Sequence, residues 1–220
     1  MVLALTCFSS PAFAVDRVVL VGDSTVATYS SGSKKGWGYA LPRYFQSSKV
    51  RIINEAKGGR SSETYRREGL WEDALRRKPK YVLIQFGHND SHKDDPRYTN
   101  PNKDFKENLR DYVDESRKHR AIPILVTPPV RLLWNGNRIN HRLSEYVRAM
   151  KQVASEMKVP LLDLDKRSGA YYEDIGKSAA AKLFVSGDRT HTNAEGANAL
   201  ARLLVAEIRA KVPGLTKSLK

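Results

Sequence analysis

Short runs of apolar, often β-branched residues alternate along the chain with longer segments whose apolar positions recur every three or four residues. The runs Val18–Val21, Val50–Ile53, Tyr81–Phe86, Ile122–Val126 and Leu161–Leu164 predict strands. The segments between them predict helices near Tyr39–Gln46, Glu63–Arg77, Asp104–His119, Ile139–Met157 and Lys166–Ala181, with a last helix from Asn193 to about Ala210. In that last segment Ala197, Leu200, Ala201, Leu204 and Ile208 keep helical spacing, and Thr192 three residues before Glu195 reads as a capping box. Strands separated by helices of this length require parallel crossovers, hence an α/β sandwich with helices on both faces of a mostly parallel sheet. Ligands of such sheets bind outside the carboxyl ends of the strands.

The first strand stops at Gly22-Asp23-Ser24, which by itself is ordinary turn chemistry. The same sheet edge is expected to collect "NEAKGGRSS" (54–62), "GHNDSHKDD" (87–95) and "GDRTHT" (187–192). A serine hydroxyl becomes a nucleophile only when a base takes its proton and a partner orients the base. Of the five histidines, His119 ends a basic helix, and His141 has only Glu145 as a nearby acid, which predicts a surface role. His191 follows Asp188 by three residues, so an acid and an imidazole can meet within one turn. Asp-x-x-His is common; its value here comes from being joined to Gly-Asp-Ser at the other end of the chain. Developing charge on an ester oxygen needs positioned donors, for which the Ser24 backbone, the Gly58-Gly59 turn and the Asn89 amide are candidates.

Length and composition narrow the picture further. A chain of 220 residues, 40% hydrophobic, suits one domain, here expected over 15–220. Residues 1–14, "MVLALTCFSSPAFA", are uncharged and end in Ala-Phe-Ala, which predicts a signal peptide cleaved after Ala14 and a secreted or periplasmic protein. No Lys or Arg follows Met1, which fits a truncated or misassigned start. The one cysteine, Cys7, lies in that segment and follows Thr6, a poor match to a lipid-attachment site; its removal excludes thiol catalysis and disulfides from the mature chain. No other apolar run is long enough to span a bilayer.

The net charge of +14 attracts polyanions, whether nucleic acid, acidic polysaccharide or anionic lipid. The basic clusters at Arg66-Arg67, Arg76-Arg77-Lys78 and 117–120 are interspersed with acids and read as solvated helix faces, so no nucleic-acid partner is expected. His88 and His92 sit four apart among acids, a possible metal pair, but Asn89-Asp90 and Pro96 predict a solvated loop, and no metal is expected.

Four ordered segments, "GDST", "NEAKGGRSS…REG", "FGHND" and "DRTHTNAEGA", resemble the four blocks of the SGNH (GDSL-type) hydrolases, most closely the rhamnogalacturonan acetylesterase-like branch. The resemblance spans the chain after Ala14. It implies a flavodoxin-like three-layer α/β/α sandwich with a five-stranded, mostly parallel sheet. It implies Ser24 as nucleophile, His191 as general base then acid, Asp188 as its orienting acid, and an oxyanion hole of Ser24, Gly59 rather than Gly58, and Asn89. The implied reaction is ester hydrolysis through an acyl-serine, without metal or cofactor. The implied substrate is an acetylated, acidic carbohydrate such as pectin, to which a basic protein would be drawn. Candidate substrate contacts are Trp37 and Trp134, in the loop-like contexts "KKGWGY" and "RLLWNGN" where packing is an equal reading, together with His88 and Arg131. Acetylxylan, lipid or thioester substrates, a metal-dependent hydrolase and a non-enzymatic polyanion binder are the alternatives, and the oligomeric state is left open.

Overall fold

In the computed structural model, which describes residues 15–220, five parallel strands lie in the order β2-β1-β3-β4-β7. They are β1 (Asp16–Gly22), β2 (Val50–Asn54), β3 (Tyr81–Gln85), β4 (Ile122–Val126) and β7 (Leu161–Leu162). The proposed signal segment and Cys7 lie outside the described residues. β1 and β3 are the central strands, and alternate residues leave them on opposite faces. Val18, Leu20 and Leu83 enter one apolar cluster, whereas Val19, Val21, Val82 and Ile84 enter the other. That alternation, with both faces buried, explains the continuous apolar runs.

The first layer is built by α1 (Trp37–Ala40), α6 (Leu164–Ala181), α7 (Ala194–Lys211) and α8 (Pro213–Thr216), through Trp37, Tyr172, Leu200, Leu204 and Leu215. The second is built by α2 (Ser62–Arg67), α3 (Leu70–Arg76), α4 (Asp104–Lys118) and α5 (Ser144–Glu156), through Tyr65, Trp71, Leu109, Tyr112 and Met150. The three-layer α/β/α sandwich therefore agrees with the sequence reading. Among the described residues no helix is long and apolar enough to cross a membrane.

Departures from the predicted elements have local causes. The helix expected at Tyr39–Gln46 is the single turn α1 followed by a 3₁₀ turn over Leu41–Tyr44, where Pro42 enters. The segment Glu63–Arg77 is two helices, because Gly69 adopts the left-handed conformation (φ 73°) between them. The helix expected from Ile139 starts only at Ser144. Ile139 instead belongs to a hairpin of β5 (Trp134–Asn135) and β6 (Arg138–Ile139), turned at Gly136 with φ 56°. β7 stops at Leu162 because Asp163 caps α6.

The start of α7 also differs from expectation. Asn193, not Thr192, is its N-cap, accepting hydrogen bonds from the Glu195 and Gly196 backbone N–H groups at 3.0 Å each. The Thr192 hydroxyl donates instead to the Lys35 carbonyl at 2.7 Å. Replacement Asn193→Ala is therefore expected to lower unfolding stability by about 1 kcal/mol, measured by urea denaturation, with Glu195→Ala costing less. The reverse ranking would restore the Thr192–Glu195 box.

Candidate active site

The chain order β2-β1-β3 makes the connections after β1 and β3 part at the carboxyl end of the sheet, leaving a crevice between them. Gly22 ends β1 where a Cβ would fall 2.5 Å from the Gln85 carbonyl oxygen of β3, so only glycine fits without displacing backbone. The chain then turns tightly, with the Val26 and Ala27 N–H groups donating to the Asp23 carbonyl at 3.2 and 3.1 Å. Beneath the turn the Asp23 carboxylate accepts from the Thr25 N–H (2.8 Å) and hydroxyl (2.7 Å). Gln85 joins this network by donating to Thr25 Oγ1 at 2.7 Å and accepting from Trp37 Nε1 at 2.7 Å. Asp23 thus shapes the loop, and Ser24 is left at its tip.

His191 Nε2 lies 2.9 Å from Ser24 Oγ, and His191 Nδ1 lies 2.6 Å from Asp188 Oδ2. The other Asp188 oxygen accepts from the Thr190 and His191 N–H groups at 2.7 and 3.0 Å. A reciprocal clasp, Lys35 N–H to the Thr192 carbonyl (2.9 Å) and the Thr192 hydroxyl back to Lys35, ties this turn to the segment following Ser24. Burial raises the Asp188 carboxyl, but the backbone donors of His191 and Thr190 and the His191 ring outweigh it and hold the group below its ordinary range. Asp188 is therefore the anion that an orienting acid has to be. His141 is exposed, as the sequence predicts for a surface residue, but its acid is Asp165, 2.7 Å from Nδ1, and not Glu145. It gains an acid but no hydroxyl partner among the described residues, and its ring edge packs against Gly169.

Ser24, Gly58, Gly59, Asn89 and His191 line one cavity of about 370 Å³ together with Tyr29, Lys34 and Arg97. Gly59 has φ 81° and open space where a Cβ would be, whereas a Cβ on Gly58 would meet the Tyr29 hydroxyl at 2.8 Å. Among the described residues neither the Ser24 nor the Gly59 N–H donates to another protein group. Asn89 Nδ2 donates to the Arg60 carbonyl at 2.9 Å, leaving one amide hydrogen, while Asn89 Oδ1 accepts from Arg97 Nη1 at 3.1 Å. The Arg97 contact fixes which way the amide faces. Arg97 is itself gripped by Asp95 through Nε and Nη2 at 2.7 and 2.6 Å. Sequence reasoning missed Arg97 and Tyr29, since neither stands in a block with a recognisable spacing.

The loop carrying Asn89 is anchored by Asp90, which is fully buried. Its carboxylate accepts from the Ser62 N–H (2.9 Å) and hydroxyl (2.6 Å), the Thr99 hydroxyl (2.9 Å) and the Gly87 N–H (2.9 Å). With Asp90 so engaged, Asp95 paired to Arg97 and His88 buried, the "HNDSHKDD" acids and histidines point to different partners. No group of three or more metal-ligating side chains gathers among the described residues.

The four substrate contacts expected from sequence divide. Trp37 is fully buried with its indole N–H bonded to Gln85, so it is a core residue and not a sugar platform. His88 is also buried, beneath Arg131, whose Nη2 donates to its carbonyl at 3.3 Å. Burial pushes the His88 imidazole down to about 3, with Arg131 and His191 adding to the effect, which keeps it neutral. Neither Arg131 nor Trp134 lines the Ser24 cavity: Arg131 lines one of about 740 Å³ with residues of the loop 91–102, and Trp134 one of about 560 Å³ with Arg189.

Burial raises the Asp23 carboxyl to about 6, partly opposed by Thr25. A folded value above the unfolded one, about 3.9, means stability present below pH 4 and lost as pH rises through 6. Asp23→Asn should remove that loss. Relative to the parent, its unfolding free energy should therefore rise by ~1–3 kcal/mol between pH 4 and pH 7.5. A parent-to-variant difference that is flat in pH would show that folding does not shift the Asp23 carboxyl.

A model of the GDSL-like Lipase/Acylhydrolase family matches residues 18–204. Probable rhamnogalacturonan acetylesterase YesY of Bacillus subtilis is 34% identical over 212 residues, covering 93% of this chain and 97% of the relative. Rhamnogalacturonan acetylesterase RhgT of the same organism is 35% identical over 210 residues, covering 87% and 89%. Among solved structures, that of the Bacillus subtilis protein YxiM superposes with a TM-score of 0.80 at 31% identity, covering 89% of this chain and 56% of the other.

Proposed function

The chain belongs to the GDSL-like lipase/acylhydrolase family, and from that premise we propose that it is a serine esterase removing acetyl groups from acetylated rhamnogalacturonan, acting outside the cytoplasm. The observation that carries the chemistry is the continuous line Asp188–His191–Ser24, at 2.6 and 2.9 Å, opening into a cavity with free N–H donors. The polymer is supported by the relatives YesY and RhgT, matched along most of their length.

In this reading Ser24 Oγ attacks the acetyl carbonyl as His191 Nε2 takes its proton, and Asp188 stabilises the resulting imidazolium. The Ser24 and Gly59 N–H groups and the remaining Asn89 amide hydrogen meet the oxyanion. Collapse of the tetrahedral intermediate breaks the bond to the sugar oxygen, which leaves with the proton from His191. Water then attacks the acetyl-serine with His191 again as base, releasing acetate and freeing Ser24. No step needs a metal or cofactor.

The reading is tested by acetate release from acetylated rhamnogalacturonan, acetylated xylan and a long-chain lipid ester. The first should be the best substrate and Ser24→Ala should abolish turnover on it; preference for xylan or lipid would overturn the polymer, and activity retained without the serine would overturn the mechanism. Loss of one oxyanion donor costs ~10²–10³ in kcat, the expectation for Asn89→Ala. Arg97→Ala, which only releases the amide, should cost about 10-fold, and should add little once Asn89 is gone. Additive losses in the double variant would mean that Arg97 acts independently of Asn89.

A further inference from the structure

Two residues of the Asp188–His191 turn line different cavities: His191 the one at Ser24, Arg189 a second of about 560 Å³. The turn is joined to the far side of this second cavity by the Leu132 N–H donating to the Arg189 carbonyl at 2.7 Å. Its walls include Trp134, Arg142, Lys177 and Arg189, and no carboxylate. Lys177 Nζ sits 5.8 Å from the centre of the Trp134 ring. Arg142 also lines the neighbouring 740 Å³ cavity with Arg131.

What sets this place apart is that three cations with no acid partner among the described residues line one concave site. About half of the arginines of this basic chain are paired, as Arg60 is with Glu68, Arg66 with Glu115, Arg110 with Glu156 and Arg167 with Glu207, and others such as Arg51 and Arg148 stand singly among the described residues, on exposed surface. Of the nearby acids, Glu173, four residues before Lys177, is paired with Arg138, Asp165 with His141 and Asp188 with His191, while Glu145 lines the adjoining 740 Å³ cavity and not this one. Three converging cations in a concave site raise the local potential and favour an anion. An arginine guanidinium also matches a carboxylate in shape as well as charge. Covering the same groups with a neutral sugar would strip their water and return no charge, so the site discriminates as well as attracts.

We propose that this cavity is a carboxylate subsite, in which Arg142, Lys177 and Arg189 bind the carboxylate of a uronate unit next to the acetylated sugar and Trp134 forms the apolar wall for its ring. This deepens the reading above and rests on it for the presence of a sugar at Ser24. It also makes the three cations the specificity-determining residues for an acidic over a neutral polymer.

The test uses the full chain carrying Ser24→Ala, titrated with deacetylated rhamnogalacturonan oligosaccharide and with the same oligosaccharide after reduction of its carboxylates to alcohols. The acidic ligand should bind ~10-fold or more tightly than the reduced one. Combining Arg142→Gln, Lys177→Gln and Arg189→Gln should shrink that ratio to below about 3-fold. Combining Arg51→Gln, Arg148→Gln and Lys217→Gln, which removes the same net charge from exposed positions elsewhere, should leave it intact. Equal or undetectable binding of the two ligands overturns the subsite, as does a ratio unchanged by the first set or lost equally with the second. A short DNA duplex binding as tightly as the acidic sugar, through the same three residues, overturns the uronate assignment. Failure of the parent reading looks different: the unsubstituted protein would release no acetate from acetylated rhamnogalacturonan while the carboxylate-dependent binding persisted.

Discussion

The carboxyl end of β1 is where the chain must leave in one direction while its neighbour β3 leaves in another, and the site exists in the gap. β1 is hydrogen-bonded to β2 on one side and β3 on the other, and the chain leaves β1 through α1 in one layer and β3 through α4 in the other. Loops that fork in this way cannot fill the space between them. Gly22 lets the two central strands stay close to their ends, because its missing side chain admits the Gln85 carbonyl. Immediately beyond, the buried network of Asp23, Thr25, Gln85 and Trp37 fixes a turn that would otherwise be mobile, so Ser24 is presented from a rigid base.

The remaining groups are held to that base by hydrogen bonds between loops distant in sequence. Asp90 ties the loop after β3 to the start of α2, and the Lys35–Thr192 clasp ties the turn before α7 to the segment after β1. Two aspartates near Ser24 show how environment separates residues of one type. Asp23 is enclosed with one oxygen unpartnered among the described residues, and burial raises it; Asp188 receives three donors, which hold it low. Only Asp188 can serve as a persistent anion beside the imidazole.

The charge of the chain has a similar division. Most arginines along the helices stand opposite acids, where exposed ion pairs add little to stability and leave little net field. The excess lies on cations without an acid partner among the described residues, and three of them gather in the cavity that Arg189 lines beside the Asp188–His191 turn. Net charge alone therefore says less about a partner than the geometry of its unpaired part.

Much of this was legible beforehand for a physical reason: strands buried on both faces leave continuous apolar runs, and amphipathic helices leave a periodic one, so the α/β order could be read directly. Local chemistry also carried Gly22-Asp23-Ser24 and the Asp188–His191 turn, because an acid and an imidazole three residues apart meet without help from the rest of the fold. Tertiary structure alone decided what side chains do across long separations. Trp37 and His88 looked like ligand contacts in loops but are buried, since burial depends on which layer closes over a loop and not on its composition. His141 found Asp165 and Thr192 found Lys35 for the same reason. Arg97, which orients Asn89, and the unpaired group of Arg142, Lys177 and Arg189 could emerge only once the fold had settled which charges meet and which do not.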